Sequence, residues 1–231
     1  MNMLFIVKNT TKCSISDMVC PHFCRGCGEI GSVFCDCCKN DILEDHVDYC
    51  PVCKKETKNG RCDKCKLPFP VFSVGWRDEK VGALAEELKY KSVRAIGDVL
   101  AEMLDEILPR LGKEVIVVPL PTISRHVRER GLDHTVLVAK KLARKRGWKM
   151  ERAIVRNTDT VQVGADRKMR LKQMKCAYKI DKKFVPQDKI YLLLDDVWTT
   201  GASMKAAAKI MQKAGAKKNI ATVVAISRDK D

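Results

Sequence analysis

Long apolar runs are missing from the start of this 231-residue sequence: the longest there, Met3 to Val7, is too short for an export signal or a membrane span. The expectation is a cytoplasmic protein with no membrane insertion. A Gly-x-x-x-x-Gly-Lys-Ser/Thr loop is absent as well, which excludes a P-loop partner for any acidic strand end. Aromatic residues are few, at 6%. In the most basic stretch only Trp148 and Tyr178 offer a ring for stacking on bases. Cysteine is almost absent from the last two thirds of the chain, where Cys176 stands alone and reads as a small buried residue.

What is present is enough for a core: 45% of residues are apolar, so one full domain with a small appendage is expected. The formal charge is +15, and it becomes +11 if eight cysteine thiolates hold two zinc ions. The excess is uneven. Residues 121–183 carry 19 Lys/Arg against 6 Asp/Glu, a density suited to polyphosphate or nucleic acid.

Eleven of the twelve cysteines precede residue 66. Four pairs carry two-residue spacing: Cys24/Cys27, Cys35/Cys38, Cys50/Cys53 and Cys62/Cys65. A tight turn at that spacing aims both sulfurs at one tetrahedral ion, and Gly26, Gly28 and Gly60 permit such turns. The short gaps pair the sites sequentially, one zinc on the first four cysteines and one on the last four. Cys37 is an alternative to Cys35 or Cys38. His22 and His46 read as bystanders, and Cys13 and Cys20 fall in an N-terminal tail. A disulfide scaffold would need an oxidising compartment, which the expected location does not offer. Four thiolates leave no open coordination position, so both ions are structural, standing in for a core that about fifty residues cannot build.

After Pro68 and Pro70 strands and helices alternate. Strands are expected at Phe72–Trp76, Glu114–Val118, Arg152–Val155, Ile190–Asp195 and Ile220–Ile226. Helices are expected at Val81–Lys89, at Val93–Leu108, from an Asp133 cap to Arg146 before Gly147, and at Ser203–Ala214. Residues 156–165 read as a polar mobile loop, and Asp166 as the cap of a following helix. This is the pattern of an α/β fold with a parallel sheet flanked by helices, whose ligands sit beyond the carboxyl ends of strands. The division is a tail over 1–20, a double four-cysteine zinc module over 21–70 and the α/β domain over 71–231.

The most informative stretch is Tyr191-Leu192-Leu193-Leu194-Asp195-Asp196-Val197-Trp198-Thr199-Thr200-Gly201-Ala202-Ser203. An apolar strand delivers two adjacent carboxylates to its end, where they can accept hydrogen bonds from vicinal ribose hydroxyls. The loop beyond, with the hydroxyls of Thr199, Thr200 and Ser203 and the backbone of Gly201 and Ala202, can cradle a phosphate at a helix N-terminus. The residues read as a sugar-phosphate site.

This stretch resembles the phosphoribosyl diphosphate (PRPP) signature of type I phosphoribosyltransferases. The chain from about Cys24 onward resembles the ComF family, which joins a double zinc ribbon to a phosphoribosyltransferase-like domain. The resemblance includes Leu88-Lys89-Tyr90, Pro119-Leu120-Pro121, Arg130-Gly131, Gln162-Val163-Gly164 and Arg170. The chain departs from the family at Leu132-Asp133-His134, where Phe-Asn-Gln is usual. It also carries Ala165, Gln173 and Tyr178 where Leu, Asn and Phe are favoured.

The resemblance implies two structural Zn2+ and a PRPP pocket with Mg2+. Asp195 and Asp196 would hold the ribose, and Thr199 to Ser203 the 5′-phosphate. Pro119, Leu120, Pro121 and Thr122 would face the diphosphate, with Arg125, Arg128 and Arg130 neutralising charge. A mobile loop over 156–170, including Gln162, Arg167 and Arg170, would close over the sugar. Purine-using relatives often carry an acid where Thr199 stands, so a standard salvage activity is not expected. The implied role is handling of incoming single-stranded DNA in competence, with competence-machinery proteins as partners. The alternatives are an active phosphoribosyltransferase and a PRPP sensor.

Overall fold

An uninterrupted apolar run such as Tyr191-Leu192-Leu193-Leu194 is stable as a strand where both of its faces are covered. The computed structural model describes residues 23–44, 46–77, 80–90, 94–157 and 178–228, with backbone alone at Lys89, Tyr90, Ser124 and Arg130. The expectations for Cys13, Cys20, His22, Gln162, Ala165, Asp166, Arg167, Arg170, Gln173 and Cys176 lie outside those residues.

In chain order the elements are α1 (Asp36–Glu44), β1 (Val71–Trp76), α2 (Lys80–Tyr90), α3 (Arg94–Ile107), β2 (Val115–Pro119) and α4 (Ser124–Arg130). They continue with α5 (His134–Arg146), β3 (Lys149–Met150), β4 (Ile154–Arg156), β5 (Tyr178–Ile180), β6 (Ile190–Trp198), α6 (Ala202–Lys213) and β7 (Lys218–Ile226). Five strands form one parallel sheet in the order β1-β7-β6-β2-β3, with β6 at its centre.

The pleat divides the apolar run between two layers. Leu192 and Leu194 pack with α2, α3 and α5, together with Phe72, Val74, Val115, Val117 and Val224. Tyr191 and Leu193 face the other way, toward Met204, Ala207 and Met211 of α6. Helices therefore cover both faces, and the sheet's carboxyl edge is left for a ligand.

Local signals hold where caps are strong. Asp133 Oδ1 accepts the Val136 N–H at 3.3 Å, and Gly147 closes α5 with φ +66°. The strand expected at Arg152–Val155 is displaced to Ile154–Arg156 and pairs antiparallel with β5, in a separate two-stranded sheet. Strand β6 runs three residues past its expected end because Val197 and Trp198 stay paired with Ala225 and Ile226 of β7. Trp148 is not available for base stacking. It is buried, its Nε1–H donates to Gly112 O at 3.0 Å, and the Arg146 guanidinium lies 5.0 Å over its ring.

The cysteine-rich module does not stand on metal alone, as its small size suggested. Val33, Phe34 and Cys38 belong to the same apolar cluster as Phe72, Leu84 and Leu104. Arg25 pairs with Glu87 at 2.8 Å and Lys39 with Glu102 at 3.1 Å across the seam. Gly60, at φ +68°, gives its carbonyl to the Val71 N–H at 2.9 Å, and an added Cβ would lie 2.7 Å from Val71 O. Lys54 Nζ, in the second cysteine set, donates to Ser227 O just past β7. No helix among the described residues is long and apolar enough to cross a membrane.

Candidate functional site

The two cysteine sets are built as the spacing predicts. Cys24, Cys27, Cys35 and Cys38 form one group and Cys50, Cys53, Cys62 and Cys65 the other, with all sulfurs of a group within 4.8 Å of one another. Cys37 is exposed and belongs to neither. The Cys27–Cys35 and Cys53–Cys62 sulfurs lie 3.7 and 3.6 Å apart. A tetrahedron of Zn–S bonds has edges of about 3.8 Å.

Backbone N–H groups point at the sulfurs, from Cys35 to Cys24 Sγ at 3.2 Å and from Cys65 to Cys62 Sγ at 3.4 Å. Gly26 has no room for a side chain, since a Cβ there would sit 2.5 Å from Cys38 Sγ. Taken as thiols alone, each group is split. Burial raises Cys24, yet the N–H groups of Cys35, Cys27 and Gly26 outweigh it and bring the thiol to about 6. Burial and the neighbouring sulfurs push Cys38 up. In the second group the Lys55 N–H leads in holding Cys53 at about 7, while burial and adjacent sulfurs push Cys65 up to about 12. A dication at the centre removes that conflict by letting all four ionise. The donor sets fit two structural zinc ions.

On the carboxyl edge of the sheet, pairing between β2 and β6 ends at Pro119 and Leu194, and the Leu120 N–H makes one more bond to Leu194 O at 2.8 Å. Beyond that rung β2 turns away and β6 continues beside β7 alone. Asp195 and Asp196 occupy this stretch, inside the strand rather than at its tip. Asp195 Oδ1 accepts the Asp196 N–H at 2.9 Å, and Asp196 Oδ1 accepts the Val197 N–H at 2.7 Å. The ring of His134, at the start of α5, meets Asp196 Oδ2 through Nε2 at 3.1 Å.

Both acids line an open hollow of about 330 Å³, with Leu120, Pro121, Thr122 and Ser203 among its other walls. A smaller cleft of about 80 Å³ lies within the loop from Thr199 to Ser203, at the N-terminus of α6. Gly201 adopts φ +71°, and a Cβ on it would fall 2.1 Å from the buried Trp198 indole. Trp198 is thus the floor of that loop rather than a group facing ligand. The Thr200 hydroxyl accepts the Ala202 N–H at 3.3 Å, as a helix-entry turn requires.

The structure brings the two acids, the hydroxyl loop and the Leu120–Thr122 turn together. Arg125 and Arg128 do not line that hollow. Arg125 is exposed and pairs with Glu129 at 2.7 Å, and Arg128 lines a neighbouring hollow of about 420 Å³ that shares the Pro121–Thr122 wall. The side chain of Arg130 is outside the described atoms.

Three residues not assigned to the pocket from sequence line the hollow. Arg156 reaches the site from β4, its Nε donating to Pro121 O at 3.0 Å. Its guanidinium lies 5.5 Å from the Tyr178 ring, and Tyr178 lines the same hollow as Ser203. Burial, backed by the charges of Asp195 and Asp196, pushes the Tyr178 hydroxyl above the usual phenol range against the opposite pull of Ser203 and Arg156. It therefore remains a neutral donor near pH 7. The third is His134. Order in sequence offered one signal, the position of His134 directly after a helix cap.

No protein-family model matches the chain, and no curated protein does. Among solved structures the chain is similar to the glutamine PRPP amidotransferase from B. subtilis complexed with ADP and GMP, with 14% identity and a TM-score of 0.43. It is also similar to the allosteric regulatory enzyme of purine biosynthesis, with 14% identity and a TM-score of 0.39. Each match covers 60% of this chain and 30% of the other. A likeness at this level says nothing of activity.

Two substitutions test the loop itself. Gly201→Ala is expected to destabilise the chain by about 1–3 kcal/mol, since it meets both a left-handed backbone and the Trp198 ring. Thermal unfolding reads this directly. Tyr178→Phe removes a hydroxyl from the wall that Tyr178 shares with Ser203. Inorganic phosphate affinity should fall by a factor of about 3–10, measured by calorimetry, with the melting temperature almost unchanged.

Proposed function

We propose that this chain binds PRPP, or a closely related sugar phosphate with Mg2+, on the carboxyl edge of its sheet, and that it handles single-stranded DNA. What supports the ligand reading is the convergence of two stretches distant in sequence, Leu120–Thr122 and Asp195–Ser203, on one hollow and the cleft beside it. Asp195 and Asp196 offer acceptors to a vicinal diol. The Thr199–Ser203 loop offers hydroxyls and a helix N-terminus to a 5′-phosphate. The Leu120–Thr122 turn, tied by the Thr122 hydroxyl to Asp133 Oδ1 at 3.2 Å, offers a firm wall to a diphosphate. Mg2+ would accompany that diphosphate and offset its charge.

Thr199 brings no carboxylate to the loop, and Trp198 is spent as its floor. A purine-salvage base is therefore missing from the position relatives use. A transferase with another acceptor is the second reading, favoured by Arg156 in the same hollow as Asp195, where its guanidinium would offset charge building on a departing diphosphate. Calorimetry with PRPP and Mg2+, followed by a diphosphate-release assay on the same sample, separates the two. Tight binding without release supports a binding role. Release that depends on an added amine supports transfer, and no binding at all sinks both.

The DNA reading rests on the ComF-like order of motifs and on the basic segment. Its useful surface is narrower than the charge count suggests, because Lys141 pairs with Asp98, and Arg146 and Lys145 with Asp105. Lys140 and Arg144, one turn apart on α5, are exposed and carry no ion pair among the described residues. Lys140→Glu with Arg144→Glu should weaken binding of oligodeoxythymidine by about tenfold at moderate salt and flatten the salt dependence. Fluorescence anisotropy across a salt series checks this, and an unchanged slope would remove these residues from the interface.

A further inference from the structure

His134 is the second residue of an unusual pair of contacts. Its ring is buried, at 4% exposure, beside an acid that remains 21% exposed at its side chain. Nε2 meets Asp196 Oδ2 at 3.1 Å, while Nδ1 is fully enclosed and has no hydrogen-bond partner. An imidazole that faces a carboxylate through Nε2, with nothing at Nδ1, carries its hydrogen on Nε2. The main-chain N–H of Val197 holds the other oxygen of the same carboxylate at 2.7 Å. Asp196 is therefore gripped from two elements, β6 and α5, and its plane is fixed before any ligand arrives.

A residue present for packing alone would not bury a bare ring nitrogen; a leucine fills similar space without that penalty.

We infer that His134 is a positioning residue for the acidic pair, an N–H donor that aims the Asp196 carboxylate at a vicinal diol. The inference rests on the sugar-phosphate reading of the hollow. Its consequence is a requirement for one N–H at this point, not for a histidine as such. A glutamine, whose amide nitrogen reaches about as far as Nε2, meets that requirement. A leucine does not.

The test uses the full zinc-loaded chain as wild type, His134→Gln and His134→Leu. With PRPP and Mg2+ in a calorimeter, His134→Gln should stay within about threefold of wild type and His134→Leu should lose about tenfold or more. Inorganic phosphate, which needs only the Thr199–Ser203 loop, should bind all three alike, a result that general damage to the fold would not give. Long-range 15N–1H spectra of the wild type should show Nε2 protonated and Nδ1 bare.

Equal loss in both variants, full affinity in the leucine variant, or a hydrogen on Nδ1 each overturns the assignment. If wild type binds phosphate but neither PRPP nor ribose 5-phosphate, the sugar reading itself has failed and takes this inference with it. If wild type binds PRPP and the leucine variant binds it equally well, only the role of His134 falls.

Discussion

Asp195→Asn combined with Asp196→Asn is expected to weaken PRPP binding by roughly 100-fold or more, because each lost charge-assisted hydrogen bond is worth about 1.5–3 kcal/mol. Folding should survive the change. Both side chains accept backbone N–H groups, from Asp196 and Val197, and an amide carbonyl can take over that duty. Asp195→Asn alone is the cleaner experiment. At Asp196 the new amide also meets the His134 N–H, so a second contact is disturbed along with the first. Calorimetry on the single and double variants, with melting temperatures alongside, separates ligand contact from stability. Unaltered affinity in the double variant would mean that the acids do not touch the sugar.

Removing zinc is the other change with a large expected effect. Structural zinc in four-thiolate sites contributes on the order of 10 kcal/mol to folding of the segment it holds. Here the loss cannot stay within that segment. Phe34 and Cys38 sit in one apolar cluster with Leu84 of α2 and Leu104 of α3, and Gly60 holds the first residue of β1. Chelation, or Cys38→Ser, should therefore lower the melting temperature of the whole chain by roughly 10 °C or more. Metal analysis should find two zinc ions per chain beforehand. A chain that melts at the same temperature with and without metal would show that the apolar seam suffices.

Much of the frame was legible because it is local. Asp133 and Gly147 bracket α5 through their own backbone preferences, and the cysteine spacing needs only one turn per pair to be read. Elements without a pattern of their own were not legible. Strand β3 has two residues and β5 three, too few for any alternation, and α4 reads Ser-Arg-His-Val-Arg-Glu-Arg with charge on every side. The end of β6 was placed early because two acids look like the close of a buried strand, whereas ladder bonds to β7 keep them in it.

The acids and the hydroxyl loop are contiguous in sequence, so their proximity was visible. His134 lies 62 residues from Asp196, and Arg156 reaches Pro121 from 35 residues away. Contacts of that kind are made by the packing of α5 and β4 around the sheet, which no short stretch of sequence encodes.

The first residue after β7 joins two otherwise distant territories. Ser227 gives its amide hydrogen to Trp198 O at 2.8 Å, just before the Thr199–Ser203 loop, and its carbonyl receives Lys54 from the second cysteine set. One peptide unit on either side of a single Cα is thus shared between the cradle and the knuckle. Isotope exchange at that amide is consequently a common gauge: slower when the cradle is filled, faster when the knuckle loosens, and readable from one resonance.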